Sequence, residues 1–199
     1  TPSHRSPPFG RAGGSGGRCA VGSLAPVTPF VALLRGVNVG GIKVKSADLA
    51  AMARDLGLDD VRTVLASGNL TFTTDEKPAR LKSRIEQGLR DTFGYDAWIV
   101  LTTAKHLGSV IEAYPFHPER DGYQPYVLFG SDQAVLGEIE EATASLDLDD
   151  EQVARGDGVI YWECPRGSST DTPFAKLVAK PKYRSTTTTR NLRTLRKLL

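Results

Sequence analysis

The residues best suited to chemistry by type and spacing lie in one short segment, residues 35–41, with the sequence RGVNVGG. An apolar run, FVALL, precedes it and predicts a strand that is covered on both faces. An arginine can bind a carboxylate or a phosphate through two parallel hydrogen bonds, and glycines let a backbone approach such a ligand closely. The segment therefore predicts a site for a small anionic ligand, formed by Arg35, Asn38, Gly40 and Gly41.

The spacing of these glycines excludes the two best-known phosphate-binding loops. It matches neither the pattern G-x-G-x-x-G nor the P-loop, because Lys43 is not followed by serine or threonine. The next helix is predicted to begin only near Ser46, so its N-terminal amides would not lie beside the glycines. Two structural roles also stay open, since Arg35 can pair with a neighbouring acid and Asn38 can bond its own backbone.

A second polar cluster lies in a predicted hairpin turn, where Ser67 and Asn69 flank a glycine. The same three residues are also ordinary turn chemistry, so they support a site only if the fold brings them to Arg35. We therefore include Ser67 and Asn69 among the predicted ligand-binding residues.

A third polar cluster, Thr189, Arg190 and Asn191, stands at the predicted start of a C-terminal helix. Hydroxyls, amides and a positive charge at a helix start can together bind an anion. We predict that these residues border the cleft near Arg35 and Asn38.

The sequence contains no recognisable catalytic set. The motifs G-x-S-x-G and H-E-x-x-H are missing, and neither Cys19 nor Cys164 stands in a nucleophile pattern. His4, His106 and His117 are too scattered, with so few cysteines, to predict a zinc site. We expect no metal and no cofactor, assign no catalytic residue, and leave open whether the protein is an enzyme.

The charge distribution makes nucleic-acid binding the alternative function. The net charge is +2, but three arginines among the first 28 residues account for more than that, so a globally basic nucleic-acid binder is not indicated. Residues 176–199 nevertheless hold eight bases and no acid, a pattern that can contact a nucleic-acid backbone or form the solvated face of a terminal helix. The acids within residues 132–157 are interpreted as a solvated surface.

No sequence feature indicates a membrane or an export route. No apolar stretch approaches the ~20 residues that a membrane span requires, and no signal-peptide pattern follows the N-terminal arginines. Residues 1–28 are rich in Gly, Pro and Ser, which predicts a disordered leader or tag. We expect a cytoplasmic protein without a membrane partner, and we assign no oligomeric state.

From residue 29 onward, hydrophobic patterns alternate between strand and helix in the order of the split βαβ unit. The first half has predicted strands at 30–35, 61–66, 70–74 and 97–101, helices at 46–57 and 78–93, and a connecting helix at 103–113. The second half has strands at 123–129, 152–155, 159–163 and 185–189, helices at 132–146 and 172–179, and a final helix at 190–199. We predict an α/β (α+β) protein of two ferredoxin-like subdomains in tandem, residues 29–114 and 115–199, with a C-terminal helix.

Four motifs resemble, in order and spacing, the DUF1697 family, a bacterial family of unknown function. They are LLRGVNVGG at 33–41, SGNLTF at 67–72, YPF at 114–116 and TTRNLRTLRKL at 188–198. The resemblance extends over about residues 29–199. It implies an α/β fold with two ferredoxin-like subdomains, and it implies no catalytic residue.

Overall fold

The computed structural model describes residues 27–36, 43–65, 68–94, 96 and 98–199. Four of the predicted site residues, Asn38, Gly40, Gly41 and Ser67, lie outside the described residues, as does the predicted leader up to residue 26.

The first half of the chain forms a four-stranded antiparallel sheet, with two helices on one face and a third helix on the other. Its strands are β1 (Thr28–Arg35), β2 (Asp59–Thr63), β3 (Asn69–Thr74) and β4 (Trp98–Thr103), in the spatial order β2-β3-β1-β4. Its helices are α1 (Ser46–Asp55), α2 (Pro78–Phe93) and α3 (Ala104–Glu112). Helix α2 forms where predicted because its apolar residues recur every fourth position: Leu81, Ile85 and Leu89 are all buried against the sheet.

The second half repeats this arrangement. Its strands are β5 (Tyr123–Gly130), β6 (Gln152–Arg155), β7 (Val159–Pro165) and β8 (Thr187–Asn191), in the spatial order β6-β7-β5-β8. Its helices are α4 (Gln133–Thr143), α5 (Pro173–Val178), α6 (Pro181–Arg184) and α7 (Leu192–Arg196). Both halves therefore have the strand order of a split βαβ unit, which confirms the predicted α/β fold of two ferredoxin-like units with a C-terminal helix.

Strand β1 belongs to two cores at once, because successive side chains of a strand point to opposite faces. Phe30, Ala32 and Leu34 pack with helices α1 and α2. Val31 and Leu33 pack instead in a core shared with β5, β7, α3 and α7, which joins the two units. Arg35 continues the series of Val31 and Leu33, so its side chain leaves β1 on the side of the second unit.

The predicted C-terminal elements are wrong in one respect that matters for the site. Arg190 and Asn191 lie on strand β8, because the preceding run of β-branched threonines favours extended backbone, and only Asn191 also stands at a helix start, as the N-cap of α7. Helix α7 begins only at Leu192, where the side chain of Asn191 accepts a hydrogen bond from the backbone N–H of Arg193 at 2.9 Å. The helix, predicted to extend to residue 199, ends at Arg196, and Leu199 is 60% exposed.

Cys164 on β7 is a free thiol in the core of the second unit. Burial, together with the nearby carboxylates of Glu151 and Glu163, raises the pKa of this thiol to about 12. Roughly one molecule in ten thousand carries the thiolate at pH 8. We therefore expect iodoacetamide to modify native Cys164 at pH 8 only as fast as unfolding exposes it.

Peptide mass spectrometry of samples taken over time checks this expectation, with the urea-unfolded protein as the reference for full reactivity. Alkylation of native Cys164 as rapid as in the unfolded protein would contradict the burial described here.

Candidate functional site

A cavity of about 400 Å³ lies beside β8, under helices α5 and α6, and we call it the basic pocket. Ten of its described lining residues belong to the second unit and one, Arg35, to the first. They are Arg35, Tyr126, Trp162, Ser169, Thr170, Ala175, Val178, Ala179, Arg184, Thr187 and Thr189. The pocket therefore stands at the border between the two units.

Two guanidinium groups give the basic pocket its charge. Arg35 is half-buried, and its Nε donates to the backbone oxygen of Thr187 at 2.8 Å. Burial, and then the positive charge of Arg184, lower the pKa of Arg35. Arg184 is exposed at the end of α6, and its side chain forms no hydrogen bond or ion pair with any residue in the described part of the chain.

The basic pocket contains hydroxyl groups and, among the described residues, no acid. Ser169, Thr170, Thr187 and Thr189 stand with the two arginines in its lining. Hydroxyls can donate hydrogen bonds to an anion, whereas a carboxylate in this lining would repel one. With Nε of Arg35 committed to Thr187, its two terminal nitrogens make no other hydrogen bond within the described ranges.

An apolar wall forms another part of the pocket lining, namely Tyr126, Trp162, Ala175, Val178 and Ala179. Tyr126 stacks on Trp162 with ring centroids 5.0 Å apart, and Trp162 packs on Phe174 at 5.4 Å. These contacts hold the wall in one arrangement.

Glu151 fixes Trp162 from behind the wall. This residue is 5% exposed, and its carboxylate accepts a hydrogen bond from Trp162 Nε1 at 2.8 Å and another from the backbone N–H of Phe174 at 2.7 Å. Our interpretation of the acids in residues 132–157 as a solvated surface is thus wrong for Glu151. Two nearby buried donors, which are visible only in the folded chain, account for its position.

Arg190 joins the two units in the core beside the pocket. Its Nε donates to Oδ1 of Asn69 at 2.8 Å, and its Nη2 donates to the backbone oxygen of Leu34. Its Nη1 donates to Thr188 Oγ1 at 2.7 Å and to the backbone oxygen of Thr189 at 3.0 Å. Burial lowers the pKa of Arg190 to about 10. Arg190 is half-buried. Because its guanidinium group donates these hydrogen bonds within the protein, it does not belong to a solvated basic face.

Asn69 receives Arg190 in a fully buried position at the start of β3. Its Nδ2 donates to the backbone oxygen of Val64 at 2.9 Å, so the amide also closes the predicted hairpin. Asn69 thus supplies a junction between the units.

Of the predicted site residues that the structure describes, Arg35 and Thr189 line the basic pocket. Asn69 and Arg190 contact each other and are not part of that lining. Asn191 caps helix α7. Sequence reasoning missed Arg184, Ser169, Thr170 and the apolar wall; only Arg184 had a signal, since it was counted within the basic segment.

Two arginines of the basic C-terminal segment form ion pairs with the same acid. Arg193 Nη2 and Arg196 Nη1 lie 3.2 Å and 3.1 Å from the two carboxylate oxygens of Glu119. These pairs are exposed, so their contribution to stability is small. They nevertheless reduce the positive charge that the alternative function, nucleic-acid binding, would use.

The fold and the pocket define a two-unit α/β protein with a basic pocket at the border of its units. The chain belongs to the family described as "Protein of unknown function (DUF1697)", whose model matches residues 27–161.

Two solved structures are similar to this chain. The conserved bacterial protein SP0830 from Streptococcus pneumoniae is 28% identical with a TM-score of 0.75, over 87% of this chain and 97% of that one. An unknown protein from Galdieria sulphuraria is 10% identical with a TM-score of 0.26, over 83% of this chain and 98% of that one. No curated protein matches at a significant level.

None of the helices in the described ranges is long and apolar enough to cross a bilayer. Within those same ranges, no three side chains of His, Cys, Asp or Glu are grouped so that they could hold a metal ion.

Proposed function

We propose that this protein binds a small anionic ligand, one that bears a phosphate or a carboxylate, in the basic pocket. The observation that carries the proposal is the meeting of Arg35 and Arg184 in a lining whose described residues include no acid. After burial, the positive charge of Arg184 also lowers the pKa of Arg35, and an anion bound between the two guanidinium groups would relieve that repulsion.

The hydroxyl groups of the pocket complement the two arginines. Each guanidinium group can donate two hydrogen bonds to an anion, and threonine and serine hydroxyls can donate to its remaining oxygens. A ligand held by both Arg35 and Arg184 would also bridge the two units, because these arginines come from β1 and α6.

We also propose a cytoplasmic location. The support is the free thiol of Cys164, since proteins kept in a reducing compartment usually retain their cysteines unpaired.

Thermal unfolding with a panel of phosphates and carboxylates tests the ligand proposal. A ligand at about 100 times its Kd adds about 2.7 kcal/mol to the free energy of unfolding, and therefore raises Tm by several degrees. Arg184→Ala is expected to reduce the affinity for that ligand by about 10-fold to 100-fold, because a hydrogen bond to a charged group contributes about 1.5–3 kcal/mol. Since Arg184 bonds to no described side chain and repels Arg35, this substitution should not lower the Tm of the ligand-free protein.

Arg54→Ala is the matched control, because Arg54 is exposed on α1 and does not line the pocket. We expect it to retain the full ligand-dependent increase in Tm. Equal ligand responses from Arg184→Ala and Arg54→Ala, or no response to any anion, would refute the proposal.

A further inference from the structure

We infer that the ligand of the basic pocket is an amphipathic anion, in which a flat or branched apolar body is joined to the phosphate or carboxylate. This inference rests on the proposed function and adds what the arginines alone do not specify. It is carried by the apolar wall of Tyr126, Trp162, Ala175, Val178 and Ala179, which shares one cavity with Arg35 and Arg184.

The size of the cavity exceeds what a bare anion needs. Its volume of about 400 Å³ is within the range of ~300–1,000 Å³ that pockets for organic ligands occupy. Phosphate, sulfate or acetate would fill only the charged part and leave the half-buried Tyr126 and Val178 and the exposed Ala179 against water. A ligand with an apolar body removes that surface from water and gains affinity from it.

The wall is organised before any ligand arrives. Glu151 holds the indole of Trp162 through Nε1, and the ring of Trp162 packs between Tyr126 and Phe174. A wall that is already ordered loses little conformational entropy when a ligand binds. Half-buried Tyr126 and Val178 therefore present a fixed apolar surface to the ligand.

The two kinds of lining come from different elements. Arg184 lies at the end of α6 and Arg35 at the end of β1, whereas Val178 ends α5 and Tyr126 lies on β5. A ligand that contacts both kinds of lining needs an apolar part in addition to its anionic group. This requirement favours monoesters and acids with an aryl or branched alkyl group over inorganic ions.

Isothermal titration with two matched pairs tests this inference: inorganic phosphate against phenyl phosphate, and acetate against benzoate. We expect the aryl member of each pair to bind about 10-fold to 100-fold more tightly, since a phenyl ring adds several buried apolar carbons at constant anionic chemistry. Phenol is the uncharged control and is expected to bind more weakly than phenyl phosphate by at least about 10-fold. All titrations use the full chain of 199 residues.

The substitution Val178→Ser is expected to reduce the ratio of phenyl phosphate to phosphate affinity several-fold, because it places a hydroxyl in the apolar wall. Val135→Ser is the matched control: Val135 is equally half-buried, lies on α4, and does not line the pocket. It should leave the ratio unchanged. Circular dichroism of each variant establishes that it is folded before titration.

The possible outcomes separate the two proposals. If phosphate and acetate bind and their aryl partners bind no more tightly, the amphipathic ligand is refuted and anion binding stands. If phenol binds as tightly as phenyl phosphate, or if none of the five compounds binds, both proposals are refuted. If Val178→Ser and Val135→Ser lower the ratio equally, the apolar wall does not carry the preference, which also refutes the inference.

Discussion

Replacing Arg190 by alanine is expected to lower the free energy of unfolding by about 3–5 kcal/mol. The substitution removes the hydrogen bonds that Arg190 donates to Asn69 Oδ1 and to the backbone oxygen of Leu34. Each buried acceptor that loses its partner costs about 1–3 kcal/mol, and the loss of the packed aliphatic stem adds to this. Burial of the guanidinium group is itself unfavourable, as the lowered pKa of Arg190 indicates, and the alanine variant avoids this cost. The gain offsets only a part of the lost stability. Urea-induced unfolding measures the change.

Two variants make this prediction specific. Arg193→Ala removes an exposed arginine whose partner is Glu119, and should change the free energy of unfolding by less than about 1 kcal/mol. Arg190→Met fills the same space without a donor and should recover less than half of the loss. If Arg190→Met is as stable as the unsubstituted protein, the hydrogen bonds of Arg190 do not hold the two units together.

The substitution Glu151→Ala is expected to cost about 3 kcal/mol and to loosen the apolar wall. It leaves two buried donors, Trp162 Nε1 and the N–H of Phe174, without an acceptor. It also opens space behind the indole, which can then adopt other orientations. We expect lower stability in urea together with a red-shifted tryptophan emission at low denaturant, before global unfolding.

Glu151→Gln provides the intermediate case, because its single side-chain oxygen can accept from only one of the two donors at ideal geometry. It should cost about half as much as the alanine variant. Asp150→Ala is the matched control one residue earlier, since Asp150 is exposed, and it should be nearly neutral. A Glu151→Ala variant as stable as Asp150→Ala would show that Glu151 does not support the wall.

Local patterns in the sequence were sufficient to predict most of the fold. The fourfold spacing of Leu81, Ile85 and Leu89 predicted α2 with correct bounds, and the strands predicted at 152–155 and 159–163 pair as β6 and β7. The same patterns could not define the end of the chain. Apolar residues after Arg190 recur at helical spacing, and only the pairing of β8 with β5 extends the strand to Asn191.

The site was predictable in part. The position of Arg35 at the end of a two-faced strand predicted a side chain directed towards a cleft, and the structure places it in the basic pocket lining. Arg184 and Trp162 could not have been selected, because they are distant in sequence and meet Arg35 only after the second unit folds against the first. Arg190 was selected for its charge, yet its role follows from acceptors on Leu34 and Asn69, which no local pattern reveals.

The alternating roles of the residues on strand β8 restrict how this sequence can change during evolution. Thr187 and Thr189 line the basic pocket, while Thr188 and Arg190, on the alternate positions, belong to the junction with the first unit. A one-residue insertion or deletion between Tyr183 and Thr187 would exchange the two faces, moving the guanidinium into the pocket and a threonine into the junction. Homologous chains should therefore vary in this segment by substitution, or by paired changes in length, rather than by single-residue steps.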